Sequence, residues 1–153
     1  MKKQSGFTLI ELVIVIIILG ILAVTAAPKF LNLQDDARTS TLKGVEGSLN
    51  SAGAMVYSKA VIAGKEKEPD TTLDLGNSKS VAIKYGYPAA TSTALGTVMD
   101  LDSSSWSFGT PSGTPAAIKI FPNGVSSSST TCFTTYTEAS SSSVPTVVTT
   151  KCS

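Results

Sequence analysis

The chain has 153 residues, enough for one compact domain and one extended segment. Charged residues make up 15% of the sequence, against about 25% in a typical soluble domain, and the formal net charge is +1. With so little charge and no histidine, the composition does not favour a nucleic acid or an acidic polymer as a partner.

The first predicted element is an apolar helix over residues 7–27, in which Glu11 is the only charged residue. As a helix it would span about 31 Å, close to the thickness of a bilayer core. Lys2 and Lys3 precede it and favour a cytoplasmic N-terminus, so we expect the rest of the chain beyond the inner membrane. A carboxylate at mid-membrane costs roughly 2.5 to 3.5 kcal/mol on insertion scales, so a partner for Glu11 is expected.

Two ordinary interpretations of this segment leave features unexplained. A cleaved secretory signal fits the small residues at positions 23–27, but Pro28 after that site and Glu11 within the apolar stretch argue against it. An uncleaved single-span anchor fits the hydropathy of the segment, but it gives Glu11 no purpose.

A third interpretation rests on the residues around the start of the apolar segment. The sequence Lys-Lys-Gln-Ser-Gly-Phe-Thr-Leu-Ile-Glu-Leu, residues 2–12, resembles the prepilin signal of type IV pilins, in the type IVa subgroup. The resemblance implies that a prepilin peptidase removes residues 1–6 as a leader by cutting between Gly6 and Phe7. Phe7 would then be N-methylated, and Glu11 would match the glutamate that acts in assembly.

The chemistry of this motif suggests a role for Glu11 in setting filament register. Cleavage would expose a cationic amine on Phe7, and in staggered parallel helices that amine can approach the Glu11 carboxylate of another subunit. Because either charge left unpaired in a low dielectric costs several kcal/mol, the pair would guide docking. A protonated glutamate near the membrane interface is the alternative interpretation.

The helix is predicted to continue as an amphipathic half over residues 28–63. Apolar positions recur every three or four residues from Leu42 to Ala63, which gives one stripe able to lie on a sheet. Gly20 and Pro28 weaken the helix, since proline removes a backbone hydrogen bond and clashes with the preceding turn. The resemblance implies that the stretch between them kinks or softens when the subunit leaves the membrane for a filament.

Residues 64–153 are predicted to form a globular head with a small antiparallel sheet. Residues 64–77 are polar and are interpreted as a loop leaving the helix. Short apolar or alternating runs follow at residues 80–85, 106–108, 116–121, 132–136 and 144–149. The predicted fold class is α+β, in which a long N-terminal helix, an apolar stalk plus an amphipathic half, packs on about four strands.

Cys132 and Cys152 form an even pair in a chain that is expected to cross a membrane, which suggests one disulfide. Two buried free thiols are the alternative. The bridge would bound a C-terminal region that resembles the disulfide-bounded region of type IV pilins. Serine runs at residues 126–129 and 140–143 are interpreted as exposed loop tips.

Other chemistry has weaker support in the sequence. Asp100 and Asp102 lack the glycine and distal glutamate of a calcium loop, so a solvated turn is expected rather than a metal site. Trp106 and Phe108 could stack on sugars, but core packing is favoured. No cofactor is expected, and without histidine or a phosphate-binding loop the chain is not expected to be an enzyme.

Residues 26–38, Gly86-Tyr87-Pro88 and the cysteine-bearing tail are similar to the mannose-sensitive haemagglutinin subgroup of these pilins. The resemblance implies a major subunit that polymerises with itself into a surface filament for attachment and biofilm formation. Implied partners are the prepilin peptidase and methyltransferase and the inner-membrane assembly machinery, with a surface receptor or glycan left open. The subunit would wait in the inner membrane of a Gram-negative bacterium, head in the periplasm, before entering the extracellular pilus.

Two other classes stay open on the sequence alone. A type II secretion pseudopilin shares the N-terminal chemistry, and the disulfide-bounded tail favours a pilus over it. A membrane-anchored extracytoplasmic binding domain would keep residues 1–6 and remain monomeric in the inner membrane.

Overall fold

A computed structural model of the protein describes residues 6–153, which form two helices and seven strands. The chain divides into two compact units, one ending at Asp35 and the other spanning Asp36–Ser153.

Helix α1 (Leu9–Ile62) supplies nearly all of the first unit. Every large hydrophobic side chain from Leu9 to Leu33 is exposed. By length and composition, α1 is the one helix of the described residues that could cross a membrane. It passes through Gly20 and Pro28 without ending at either, so softening of that stretch in a filament stays a prediction.

In the second unit, α1 buries one stripe of side chains. The buried positions are Leu42, Val45, Leu49, Gly53, Val56 and Ala60. This spacing confirms the predicted amphipathic stripe, with two corrections. Ala52 is half-buried while Gly53 is buried, and Ala63 is exposed because the helix has already ended. Gly64, at φ +68°, ends it in a Schellman motif, in which the Lys65 N–H donates to the Ala60 carbonyl at 2.8 Å.

The strands of the second unit form two antiparallel sheets. The first sheet has the order β1-β2-β3, with β1 at Thr71–Gly76, β2 at Lys79–Lys84 and β3 at Tyr87–Pro88. The second has the order β4-β5-β6-β7, with bounds Trp106–Phe108, Ala117–Pro122, Phe133–Thr137 and Thr146–Thr150. Helix α2 (Ser92–Met99) connects the two sheets in sequence.

The α+β class, with a long N-terminal helix packed on antiparallel strands, is confirmed. The five predicted runs correspond to β2 and β4–β7 within two residues at each end. The predicted number of about four strands was too low, since residues 6–153 form seven. Strand β1 lies in the stretch interpreted as a loop, and the two-residue β3 lies outside every predicted run. Strand β1 buries only Leu73 among polar and exposed neighbours, so its sequence resembles a loop. Helix α2 was also missed, since its glycine and β-branched residues have low helix propensity.

Two hydrophobic clusters join α1 to the strands. The first comprises Val45, Leu49, Ala90, Leu95, Ile118, Ile120 and Tyr136. The second comprises Val56, Ala60, Leu73, Val81, Ile83, Ala89 and Ala94. Trp106 and Phe108 pack against the first cluster, which confirms core packing for both aromatics.

A buried carboxylate ties separate parts of the head together. Glu138, which follows β6, accepts backbone N–H bonds from Ala90 at 3.1 Å and from Ala116 at 3.3 Å. The Lys84 ammonium lies 3.8 Å from the same side chain. Nearby, the Tyr136 hydroxyl donates to the Pro88 carbonyl at 2.6 Å, and burial raises the pKa of this phenol. These polar links fix the two sheets in one unit.

Candidate functional site

The first turn of α1 is an N-terminal capping box. Thr8 directly precedes the first helical residue, Leu9, and Glu11 follows three residues after Thr8. Glu11 Oε2 accepts hydrogen bonds from the Thr8 backbone N–H at 2.8 Å and from the Thr8 hydroxyl at 2.7 Å. In return, the Glu11 N–H donates to Thr8 Oγ1 at 3.4 Å. The two residues therefore satisfy backbone donors that a helix start leaves unpaired.

Glu11 thus has an intrachain role that our sequence interpretation missed. The signal was present, since threonine followed three residues later by glutamate before an apolar run is a capping-box signature. A carboxylate in the first turn is also favoured by the positive end of the helix dipole. In a plain membrane anchor, too, Glu11 would therefore cap its own helix.

The predicted cleavage bond lies just outside this box. Gly6, Phe7 and Thr8 precede the helix, and all three are exposed. The Phe7 side chain is 88% exposed, and a Cβ built on Gly6 would meet no atom within 4 Å. An exposed, non-helical peptide bond is accessible to a peptidase. Lys2, Lys3 and the other residues of the predicted leader before Gly6 lie outside the described residues.

The C-terminal region is held by the Cys132–Cys152 disulfide, so the free-thiol alternative is wrong. The Cys132 N–H also donates to the Lys151 carbonyl at 3.0 Å. The Cys152 N–H donates to Thr39 Oγ1 of α1, again at 3.0 Å. The bridge therefore holds the end of the chain beside both β6 and α1.

The acidic pair after α2 forms a turn. The Asp102 carboxylate accepts hydrogen bonds from the Ser104 hydroxyl and from the Ser104 N–H, the latter at 2.9 Å. These two bonds, the hydroxyl first, lower the pKa of Asp102 below its ordinary value. Asp100 pairs with Lys79 at 3.9 Å, and both side chains are exposed. Among residues 6–153, no three His, Cys, Asp or Glu side chains converge as metal ligands.

The sequence around this helix start matches a known family profile. The profile described as "Prokaryotic N-terminal methylation motif" matches residues 1–27. The "Fimbrial protein" of Pseudomonas aeruginosa is 42% identical over 89 residues, 54% of each chain. The "Type IV major pilin protein PilA" of Myxococcus xanthus is 33% identical over 85 residues, 56% of this chain and 36% of its own.

The matched region is therefore similar to type IV pilins. The chain spans about half the length, or less, of these pilin relatives. The "Type II secretion system core protein G" of Pseudomonas aeruginosa is also similar, at 46% identity over 43 residues, 28% of this chain and 30% of its own. The pilin match of 89 residues is therefore about twice as long as the secretion-protein match. No solved structure matches the chain.

Proposed function

We propose that the chain is the major structural subunit of a type IV pilus, of the mannose-sensitive haemagglutinin kind. The observation that carries this proposal is the match of residues 1–27 to the methylation motif, a stretch that includes the start of an exposed apolar helix at Leu9. A helix whose apolar surface is uncovered needs a bilayer or other copies of itself around it. The subunit polymerises through this helix into a surface filament that serves attachment and biofilm formation.

Processing comes first in this proposal. A prepilin peptidase cuts between Gly6 and Phe7 and removes residues 1–6, and a methyltransferase then methylates the amine of Phe7. Support for the cut comes from the exposure of the Gly6–Phe7 segment and from its position before the helix. Until assembly the subunit spans the inner membrane of a Gram-negative bacterium through residues 7–27. Its head lies in the periplasm, an oxidising compartment suited to the disulfide.

Assembly uses the second oxygen of Glu11. The capping box occupies Oε2, since both Thr8 donors bind that atom. Oε1 has no hydrogen bond within the described residues, so it can accept one from the Phe7 amine of a neighbouring subunit. The capping box then orients the carboxylate toward the helix start, and the intermolecular pair sets the register. Inner-membrane assembly machinery adds each subunit, and residues 20–28 soften around Gly20 and Pro28 as the helix enters the filament.

The division of the chain follows from these steps. Residues 1–6 are the leader, residues 7–27 the membrane and filament-core helix, and residues 28–63 its amphipathic continuation. Residues 64–153 are the head with the disulfide-bounded region.

Two other functions each have one favourable observation. The similarity to the secretion-system protein favours a pseudopilin that forms a short periplasmic assembly. The capping box favours a membrane-anchored binding domain, because it gives Glu11 a purpose without any second copy. The pilus is preferred because the pilin matches extend over more than half of the chain.

Mass spectrometry of the N-terminus of sheared surface filaments tests the proposal. We expect an N-terminal peptide that begins with methylated Phe7. A processed, methylated chain found only in the cell envelope would support the pseudopilin instead. An intact Met1 in the mature protein would leave the anchored binding domain and overturn the pilus.

A further inference from the structure

Strand β1 lies at one edge of the first sheet, whose order is β1-β2-β3. In β2, the Ala82 carbonyl accepts from the Ala89 N–H, on the side of the strand that faces away from β1. Thr72 of β1 is the cross-strand partner of Ala82, so its backbone groups also point out of the β1–β2 ladder. An outward row of backbone groups is a template on which another chain can add a strand.

Two lysines bind carbonyls of this edge. The Lys65 ammonium donates to the Thr72 carbonyl at 2.7 Å, and the Lys59 ammonium donates to the Leu75 carbonyl. Lys59 lies in the last turn of α1, and Lys65 follows the turn that ends the helix. Hydrogen bonds from an ammonium are stronger than those between neutral groups. A partner strand would have to displace both ammonium groups before it could donate to the same carbonyls.

The last residues of β1 carry two further features that disfavour pairing. The register shifts between Asp74 and Gly76, which places a bulge at the end of the strand. The Gly76 N–H donates to the Asp74 side chain at 2.7 Å, so this donor is already used within the chain. Bulges and charged side chains are common on edge strands that remain unpaired.

Other strand edges of the head are closed by different groups. Strand β3, at the opposite edge of the first sheet, has only two residues. One of them, Pro88, has no N–H to donate, and its carbonyl accepts from the Tyr136 hydroxyl at 2.6 Å. In β4 of the second sheet, the Trp106 N–H donates to the Asp102 carbonyl at 3.0 Å. Closure at β1 differs because it depends on two side chains that can be replaced.

An apolar surface beside β1 would favour an added strand once the ammonium groups were gone. A cavity of about 250 Å³ next to Lys59 is lined by Met55, Leu75 and Val98. Met55 is 74% exposed. Side chains on one face of an added strand could cover this surface, while the backbone of that strand paired with β1.

We propose that Lys59 and Lys65 keep the edge of β1 closed against β1 of a second copy of this chain. The second copy is the expected partner because every head presents the same edge, and two identical strands pair antiparallel with two-fold symmetry. Copies are concentrated in the filament proposed above, where pairing of heads through β1 would compete with assembly through α1. The closure itself requires no filament, so it can be tested on the unassembled chain.

Sedimentation of the full-length chain in detergent tests this closure. Lys59→Met combined with Lys65→Met keeps the apolar stems and removes both ammonium groups. We expect this double variant to dimerise with a Kd of about 100 μM, while the unaltered chain stays monomeric at the same concentration. Hydrogen exchange of the Thr72 amide should become about tenfold slower in the double variant, because this N–H would lie in the new ladder.

Two other pairs of substitutions serve as controls. Lys43→Met combined with Lys67→Met makes the same change in charge at two exposed lysines, neither of which binds a β1 carbonyl within residues 6–153. This variant should stay monomeric. Lys59→Arg combined with Lys65→Arg should also stay monomeric, because a guanidinium can donate to the same carbonyls. A folded Met variant of Lys59 and Lys65 that stays monomeric, or a dimer that slows exchange in β7 rather than at Thr72, would overturn the proposal.

NMR on the unaltered chain gives a test that does not depend on the folding of any variant. An ammonium held by a carbonyl exchanges its protons with water more slowly than a fully hydrated one. We therefore expect slower proton exchange at Lys59 and Lys65 than at Lys43 and Lys67. Equal rates at all four lysines would overturn the closure. None of these results would alter the N-terminal mass, so a failure here is distinguishable from failure of the pilus proposal.

Discussion

The two ends of helix α1 have the same secondary structure and opposite surroundings. From Leu9 to Leu33 its hydrophobic side chains are exposed, whereas from Leu42 to Ala60 one stripe is buried against strands of the same chain. The buried stripe packs on strands of the chain itself, whereas the described residues, 6–153, leave the exposed segment uncovered. The apolar composition of a helix therefore does not show by itself whether the helix packs on its own chain. The burial of its side chains does.

Two glutamates differ in the same way in the hydrogen bonds that their carboxylate oxygens accept. In the head, both carboxylate oxygens of Glu138 accept backbone hydrogen bonds, and Lys84 lies beside one of them. At the start of α1, Glu11 accepts hydrogen bonds from the described residues, 6–153, through Oε2 alone. We interpret the first as a structural carboxylate, complete within the chain, and the second as one that awaits a donor from outside.

A matched pair of leucines on α1 should show the largest difference. Leu49 is 3% exposed and Leu19 is 58% exposed. Leu49→Ala should lower the free energy of unfolding of the head by about 2–5 kcal/mol, because it removes buried apolar surface and leaves a cavity. Leu19→Ala should leave head unfolding unchanged. Urea unfolding in detergent, followed by Trp106 fluorescence, measures both, and equal effects would break the comparison.

A smaller effect is expected at the buried carboxylate. Glu138→Gln keeps the side-chain volume but replaces one acceptor oxygen with an amide that cannot accept from Ala90 or Ala116. The head should lose about 1–3 kcal/mol, since a buried donor is left without a partner. The exposed residue Glu68 provides the control, because Glu68→Gln should change stability by less than about 0.5 kcal/mol. Indistinguishable unfolding curves for the two variants would contradict the structural role of Glu138.

The smallest effect is expected at the exposed turn of Asp102. Because hydrogen bonds from Ser104 lower the pKa of this carboxyl in the folded state, its contribution to stability is present above the unfolded-state pKa. The contribution is lost as the pH falls through the lower folded-state pKa. An NMR titration should show Ser104→Ala raising the pKa of Asp102 toward its ordinary value. A midpoint that does not move would show that the hydroxyl bond is absent in solution.

Local patterns in the sequence predicted much of the fold. Patterns that repeat every few residues predict the apolar run, the stripe on α1 and five of the strands. Such patterns require no tertiary information. Strand β1 and helix α2 could not be predicted in this way, because their sequences resemble loops and their buried residues pack in clusters that form only in the folded head. Tertiary context decided those elements.

Two features of the molecule differ in how visible they are in the sequence. The capping box lies within four residues, and the sequence alone shows its signature, Thr8 followed three residues later by Glu11. By contrast, a groove on the head is lined by residues distant in sequence, Tyr57, Tyr85, Tyr87 and 140–143, and Gly86 permits the hairpin that carries two of the tyrosines to approach Tyr57 closely. Spacing along the chain carries no signal for such a groove.

Filament yield from two variants at the start of α1 tests the central claim about Glu11 most directly. Glu11→Gln keeps a residue that can complete the capping box but removes the charge. Thr8→Ala removes the capping hydroxyl but keeps the carboxylate. If Glu11 pairs with the Phe7 amine of another subunit, Glu11→Gln should abolish surface filaments while Thr8→Ala still forms them, with both subunits present in the membrane at normal levels. Normal filaments from Glu11→Gln would contradict the account, because Glu11 would then serve its own helix alone.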